Sequence, residues 1–90
     1  MKITDVKIRR ISDESKMKAI VSVTFDDELV IHDIKIIQGY DRMFLAMPSR
    51  KLPGGGFSDI AHPTKKELRE DIETAVISAF ENHLIGEIEN

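Results

Sequence analysis

A change of hydrophobic period divides this chain in two. Leu68, Ile72, Ala75, Val76, Ala79, Phe80 and Leu84 recur at helical spacing and form one apolar stripe. Earlier in the chain the spacing is two: Met17, Ala19, Val21, Val23 and Phe25 alternate with Lys18, Ser22 and Thr24. That alternation marks a half-buried antiparallel strand. Strands followed by one amphipathic helix predict an α+β domain, with an antiparallel sheet of four to five strands and a C-terminal α-helix whose stripe lies on the sheet.

The predicted strands run over Lys2–Ile11, Lys16–Phe25, Leu29–Ile37 and Arg42–Met47, with a further short one around Phe57–Ala61. In the first, Thr4, Val6, Ile8 and Arg10 share a face. Asp13-Glu14-Ser15, Asp26-Asp27-Glu28 and Gln38-Gly39-Tyr40-Asp41 read as turns. The third strand is apolar on both faces, Leu29, Ile31 and Ile37 against Val30, Ile34 and Ile36. In a domain with one helix this asks for a second cover, which suggests a dimer through the sheet; the competing reading is ordinary exposure of a few aliphatics. Pro48 ends the fourth strand, since proline cannot donate to a ladder. A basic, glycine-rich loop spans 48–63. The helix is expected over about 65–84, opened by a capping box at Thr64-Lys65-Lys66-Glu67 after Pro63, closed by Gly86, with the last four residues frayed.

Ninety residues make a single domain, 1–90, that buries only about two-thirds of its unfolded surface, so its core is thin and oligomerisation would help. There is no cysteine, which excludes disulfides and thiolate metal sites. The opening Met-Lys-Ile-Thr-Asp-Val has no apolar signal region, and no apolar run approaches the roughly 20 residues of a membrane span. A soluble cytoplasmic protein without membrane insertion is the expectation. The net charge of −3 is unevenly placed. Residues 1–25 hold six cations and three acids, and residues 41–66 five and two; residues 67–90 hold seven acids and Arg69. Such asymmetry points to a partner for the basic part, while the acidic end keeps the domain soluble.

The segment 45–63 carries most of the functional signal, because long loops in small domains are more often functional than connective. Nucleic-acid binding needs cations spaced to meet phosphates and donors that fix register. Ser49, Arg50 and Lys51 on the loop meet that need, with Lys65, Lys66 and Arg69 at the helix start, where Lys65 and Arg69 share a face. Cations there oppose the helix macrodipole, which suggests another use for them. Against this, Arg50 and Lys51 also read as solvated charges on a floppy hairpin, and Lys65 and Lys66 as partners of Glu70, Asp71 or neighbouring acids on a wet face. Phe57 or Tyr40 could stack on an unpaired base, although each reads more readily as a packing anchor; Phe25 and Phe80 read as core. Gly54-Gly55-Gly56 lacks the Gly-Lys-Ser/Thr of a phosphate loop, and either lends flexibility or closes a wide turn.

Catalysis would have to be assembled from His32, Asp33, Asp59, His62 and His83. His32 and Asp33 are neighbours in a strand and face opposite ways, and Asp59 with His62 reads as a loop brace. Three scattered histidines make no metal site. Neither an enzyme nor a metal or other cofactor is expected.

Ala46-Met47-Pro48-Ser49-Arg50-Lys51, Pro53, Phe57 and Asp59-Ile60-Ala61-His62-Pro63 resemble the signature of the stage V sporulation protein G (SpoVG) family, associated in bacteria with septation. Met1 to Arg10 and Ile31-His32-Asp33-Ile34-Lys35-Ile36-Ile37 resemble its opening and central strands, and the likeness runs from Lys2 to Phe80 in one register. The resemblance implies an antiparallel sheet, a C-terminal helix, a homodimer through the sheet, and a DNA- or RNA-binding regulator of septation and sporulation. It carries over Arg50, Lys51 and Arg69 as contacts. The family loop usually continues Pro-Asp-Gly-Glu-Phe-Arg/Lys-Asp; here Ser58 replaces a third cation, and glycines replace two acids. Members often carry a longer acidic tail, whose function is expected to be missing. The alternative is a protein-interaction module of the septation machinery that uses a sheet edge or the acidic helix face.

Overall fold

In the computed structural model, which describes residues 1–12 and 15–89, the α+β expectation is borne out. Strands β1 (Ile3–Ile11), β2 (Met17–Phe25), β3 (Leu29–Gln38) and β4 (Met43–Ala46) form one antiparallel sheet in the order β1-β2-β3-β4. A second, two-stranded sheet is made by β5 (Ser49–Lys51) and β6 (Phe57–Asp59). Helix α1 (Lys66–Glu89) packs on the main sheet against β1, β2 and β4. Of the predicted turn at Asp13-Glu14-Ser15, the first two residues lie outside those described.

Two hairpin connections of the main sheet follow from local chemistry. Asp26 and Asp27 both have positive φ, 54° and 55°, and the Glu28 amide donates to the Phe25 carbonyl at 3.0 Å. This is a type I′ turn, whose twist suits a hairpin and whose left-handed residues favour Asp. The N-terminus braces it, with the Asp27 amide donating to Thr4 Oγ1 at 3.0 Å. At the β3–β4 turn the Gly39 amide donates to the Arg42 carbonyl at 2.8 Å. A Cβ at Gly39 would stand 2.9 Å from that same oxygen, so the close approach needs glycine.

The core lies between the sheet and α1. It gathers Ala19, Val21, Val23 and Phe25 from β2, Ile34 and Ile36 from β3, Leu45, Met47, and the helix residues Ile72, Val76 and Phe80. Leu68 and Leu84 extend the helical stripe at the same four-residue interval. Phe25 and Phe80 are core, as expected.

Bulges change what the strict alternation of β1 and β3 implies. In β1, register shifts at Thr4 and Arg9 place Ile3, Val6, Ile8 and Ile11 opposite the buried row Phe25, Val23, Val21 and Ala19. The expected face of Thr4, Val6, Ile8 and Arg10 is therefore corrected, because each extra residue reverses the side-chain parity beyond it. In β3 the extra step falls at His32-Asp33, where Val21 and Val23 pair with Ile34 and Ile31, and Asp33 has φ 64°. Leu29, Ile31, Ile34 and Ile36 consequently share the core side, leaving Val30 and Ile37 on the other. The apolar content of β3 thus does not require a second cover. Near the start of β2 another shift sets Met17 opposite Ile37, outside the row predicted for it.

The helix ends differ from expectation too. Its first acceptor is the Lys65 carbonyl, bonded by the Arg69 amide at 3.2 Å, and no capping bond joins Thr64 and Glu67 among the described residues. At the other end α1 continues through Gly86 to Glu89; Gly86 has no left-handed φ, and no proline follows to stop the helix. One glycine in a last turn costs about 1 kcal/mol, which the turn tolerates. Of the last four residues, expected to fray, 87–89 are instead part of α1, and Asn90 lies outside those described.

Candidate nucleic-acid interface

The segment 48–63 is an ordered ribbon. Ser49, Arg50 and Lys51 pair with Asp59, Ser58 and Phe57, and the Ile60 amide extends the ladder to the Pro48 carbonyl at 2.7 Å. The Gly55 amide donates to the Leu52 carbonyl at 3.1 Å, the Leu52 amide to the Gly56 carbonyl at 3.0 Å, and Gly55 and Gly56 have φ of 97° and 80°. Pro53 and Gly54 form the centre of the tight turn, and the next two glycines take conformations that side chains resist. The triple glycine therefore closes a turn, one of the two uses read from it. The ribbon packs chiefly on itself, without an extensive contact to the main sheet or to α1.

Strand alternation then separates the two adjacent cations. Arg50 and Ser58 share one face of the ribbon; Ser49, Lys51, Phe57 and Asp59 occupy the other. Ser49, Arg50 and Lys51 are all exposed, and neither cation makes an ion pair among the described residues. Phe57 is 73% exposed beside Lys51, and Tyr40 is fully exposed in the β3–β4 turn. Neither aromatic is the packing anchor expected of it. Ser58 stands directly across from Arg50, where the resemblance leads one to expect a third cation. Two cations directly opposite would repel, and the serine across from Arg50 avoids that cost.

Lys65 precedes α1, and Lys66 and Arg69 lie in its first turn; all three are exposed. Lys66 Nζ approaches Glu70 Oε1 at 3.9 Å, as the wet-face reading expected, while Lys65 and Arg69 have no ion pair among the described residues. An exposed pair of this kind contributes little to stability. The six candidate residues thus form two groups, one on the ribbon and one at the helix start. His62 Nδ1 stands 4.0 Å from Asp59 Oδ2, and His62 and Pro63 line an apolar cleft of about 270 Å³ with Phe25, Leu29, Met47 and Leu68.

The open face of the sheet holds a constellation that sequence reasoning missed. Ser22 is only 4% exposed although it points away from α1, because Arg9 and His32 lie over it. Ser22 Oγ and His32 Nδ1 are hydrogen-bonded at 2.7 Å, and Arg9 Nε donates to Ser22 Oγ at 3.3 Å. Both partners come from bulges, which turn their side chains onto the same hydroxyl. A serine beside a histidine is the beginning of a nucleophile–base pair, but here it satisfies a buried hydroxyl in the middle of the sheet. The available signal was Asp33, an acid poorly suited to a strand and tolerant of left-handed φ, set among isoleucines. Among the described residues no three histidines or carboxylates gather into a metal-binding group, and no helix is long and apolar enough to cross a membrane.

The sequence model of SpoVG matches residues 1–82, a span that includes the whole sheet, the ribbon and the helix start. The chain belongs to the SpoVG family. It is 58% identical over 88 residues to the "Putative septation protein SpoVG" of Clostridium beijerinckii, a match covering 98% of this chain and 97% of that one. The SpoVG protein of Clostridium botulinum strain Alaska E43 is 61% identical over 80 residues, covering 89% and 88%; that of Acetivibrio thermocellus is 55% identical over 89 residues, covering 99% and 95%. Little of these SpoVG relatives lies beyond the match, so the longer tail expected of many members is not a feature of these three.

Proposed function

We propose that the protein is a cytoplasmic, homodimeric nucleic-acid-binding regulator that influences septation and sporulation, and that it binds through Arg50 and Lys51 of the ribbon with Ser49, Lys65, Lys66 and Arg69 in support. The observation that carries this is the β5–β6 ribbon itself. It is a two-stranded element with an unpaired cation on each face and an exposed aromatic beside one of them. A two-stranded ribbon fits the major groove of a duplex, and cations on both faces meet the phosphates on either side. Binding and not catalysis is the assigned activity, with no cofactor. A second copy joined along an edge strand, β1 or β4, would leave both ribbons free and let two modest patches act together.

The test is fluorescence anisotropy on labelled duplex DNA across a salt series, comparing the wild type with Arg50→Ala/Lys51→Ala. Loss of two phosphate contacts should weaken binding across sequences and flatten the slope of log K against log salt by about 2. An unchanged slope removes the ribbon from the interface. Absence of wild-type binding at moderate salt favours a protein-interaction module, for which the acids along the outward side of α1, such as Glu70, Asp71 and Glu81, would be the docking surface.

A further inference from the structure

The sheet has a second surface whose chemistry differs from that of the ribbon. Register places Lys7 opposite Ser22, Arg10 opposite Ile20, and Lys35 opposite both Ile20 and Ala46, all on the side away from α1. Arg9 joins them through its bond to Ser22. None of these four cations makes an ion pair among the described residues, and Arg9 uses only its Nε–H on a protein acceptor there. Asp5, opposite Thr24 at one end, is an acid on the same side, and Asp33 sits in the bulge. In a chain of net charge −3, this open face is strongly basic, while the opposite layer carries the acids of α1. Beside the cations runs an apolar strip of Ile20, Ile37 and Phe44, with Phe44 39% exposed.

Resting on the nucleic-acid function proposed above, we infer that this open face binds a single-stranded nucleic acid, with Lys7, Arg10 and Lys35 on the phosphates and Phe44 under a base. Two strand spacings separate Lys7 and Arg10 on β1 from Lys35 on β3, about 10 Å, so one extended strand can meet all three. An unpaired strand has what this face asks for: phosphates for the cations, and bare base faces for the apolar strip. A duplex hides its base faces, and the open face of a sheet presents no projecting element to enter its grooves. A second copy placed face to face about a two-fold axis would set this basic strip against its own equivalent, which is electrostatically unfavourable.

The test uses labelled oligothymidine and a labelled duplex, with the wild type, Lys7→Gln/Arg10→Gln/Lys35→Gln, Phe44→Ala and Arg50→Ala/Lys51→Ala. Far-ultraviolet circular dichroism and the melting temperature verify folding, and Lys35→Arg serves as a charge-conserving control. The triple variant should lose about tenfold or more of its oligothymidine affinity with duplex binding retained, and Phe44→Ala about tenfold. Lys35→Arg should bind like the wild type. The ribbon variant should lose duplex binding in preference. Wild-type oligothymidine affinity in a folded triple variant overturns the open-face site while leaving the ribbon standing. No binding of either probe by the wild type overturns both. Oligothymidine affinity unchanged while the triple variant alters the oligomeric state would make the face an interface between copies instead.

Discussion

The two faces of the main sheet are built from the same strands, yet they are different materials. Toward α1 the rows Ala19, Val21, Val23, Phe25 and Ile34, Ile36 are closed off from water. Away from it, Arg10, Ile20, Lys35 and Ala46 cross all four strands in one mixed, partly exposed row. The bulges at Thr4, Arg9 and Asp33 make this division possible by turning aliphatics inward that strict alternation would have turned outward. The comparison teaches that a doubly apolar strand can be a one-faced strand with an extra residue in it.

Neighbouring isoleucines offer the sharpest way to break that comparison. Ile36→Ala should cost about 2–5 kcal/mol, because Ile36 is fully buried in the core cluster. Ile37→Ala, one residue on and facing out, should cost less than about 1 kcal/mol. Urea midpoints at constant m would check both, and equal losses would mean that the outer face is covered as tightly as the inner. Asp33→Val should cost about 1–2 kcal/mol, since a β-branched side chain resists φ of 64°. The smallest effect belongs to Asp33→Gly, which should leave stability within about 0.5 kcal/mol, because glycine takes that φ freely. A Val variant as stable as the Gly variant would deny the bulge its left-handed residue.

The layer architecture was legible from period alone: β2 and α1 run within a few residues of where their patterns placed them, and the apolar stripe from Leu68 to Leu84 is the one that packs. The Asp26-Asp27 turn was legible from composition, because aspartates tolerate left-handed φ. Of the candidate site, the identities of the exposed cations were visible, but their geometry was not. Arg50 and Lys51 looked like a pair, and pairing with Ser58 and Phe57 sends them to opposite faces. Ser22, Arg9 and His32 come from three strands and two bulges, and only Asp33 hinted at one of those bulges. The dimer expected through the sheet rested partly on the alternation in β3, and the bulge at Asp33 removes that support; sedimentation of the intact chain would decide it.

By itself the sequence determined which segments form strands and helix, and to which family the chain belongs. The segments are set by local periodicity and composition, which act over a few residues, whereas the family rests on motifs and on likeness along the whole chain. Only the tertiary structure decided which face each β1 and β3 residue serves, and which cations stand together. A bulge is one residue long, but it reverses the parity of the strand beyond it, and its position is chosen by the partner strand.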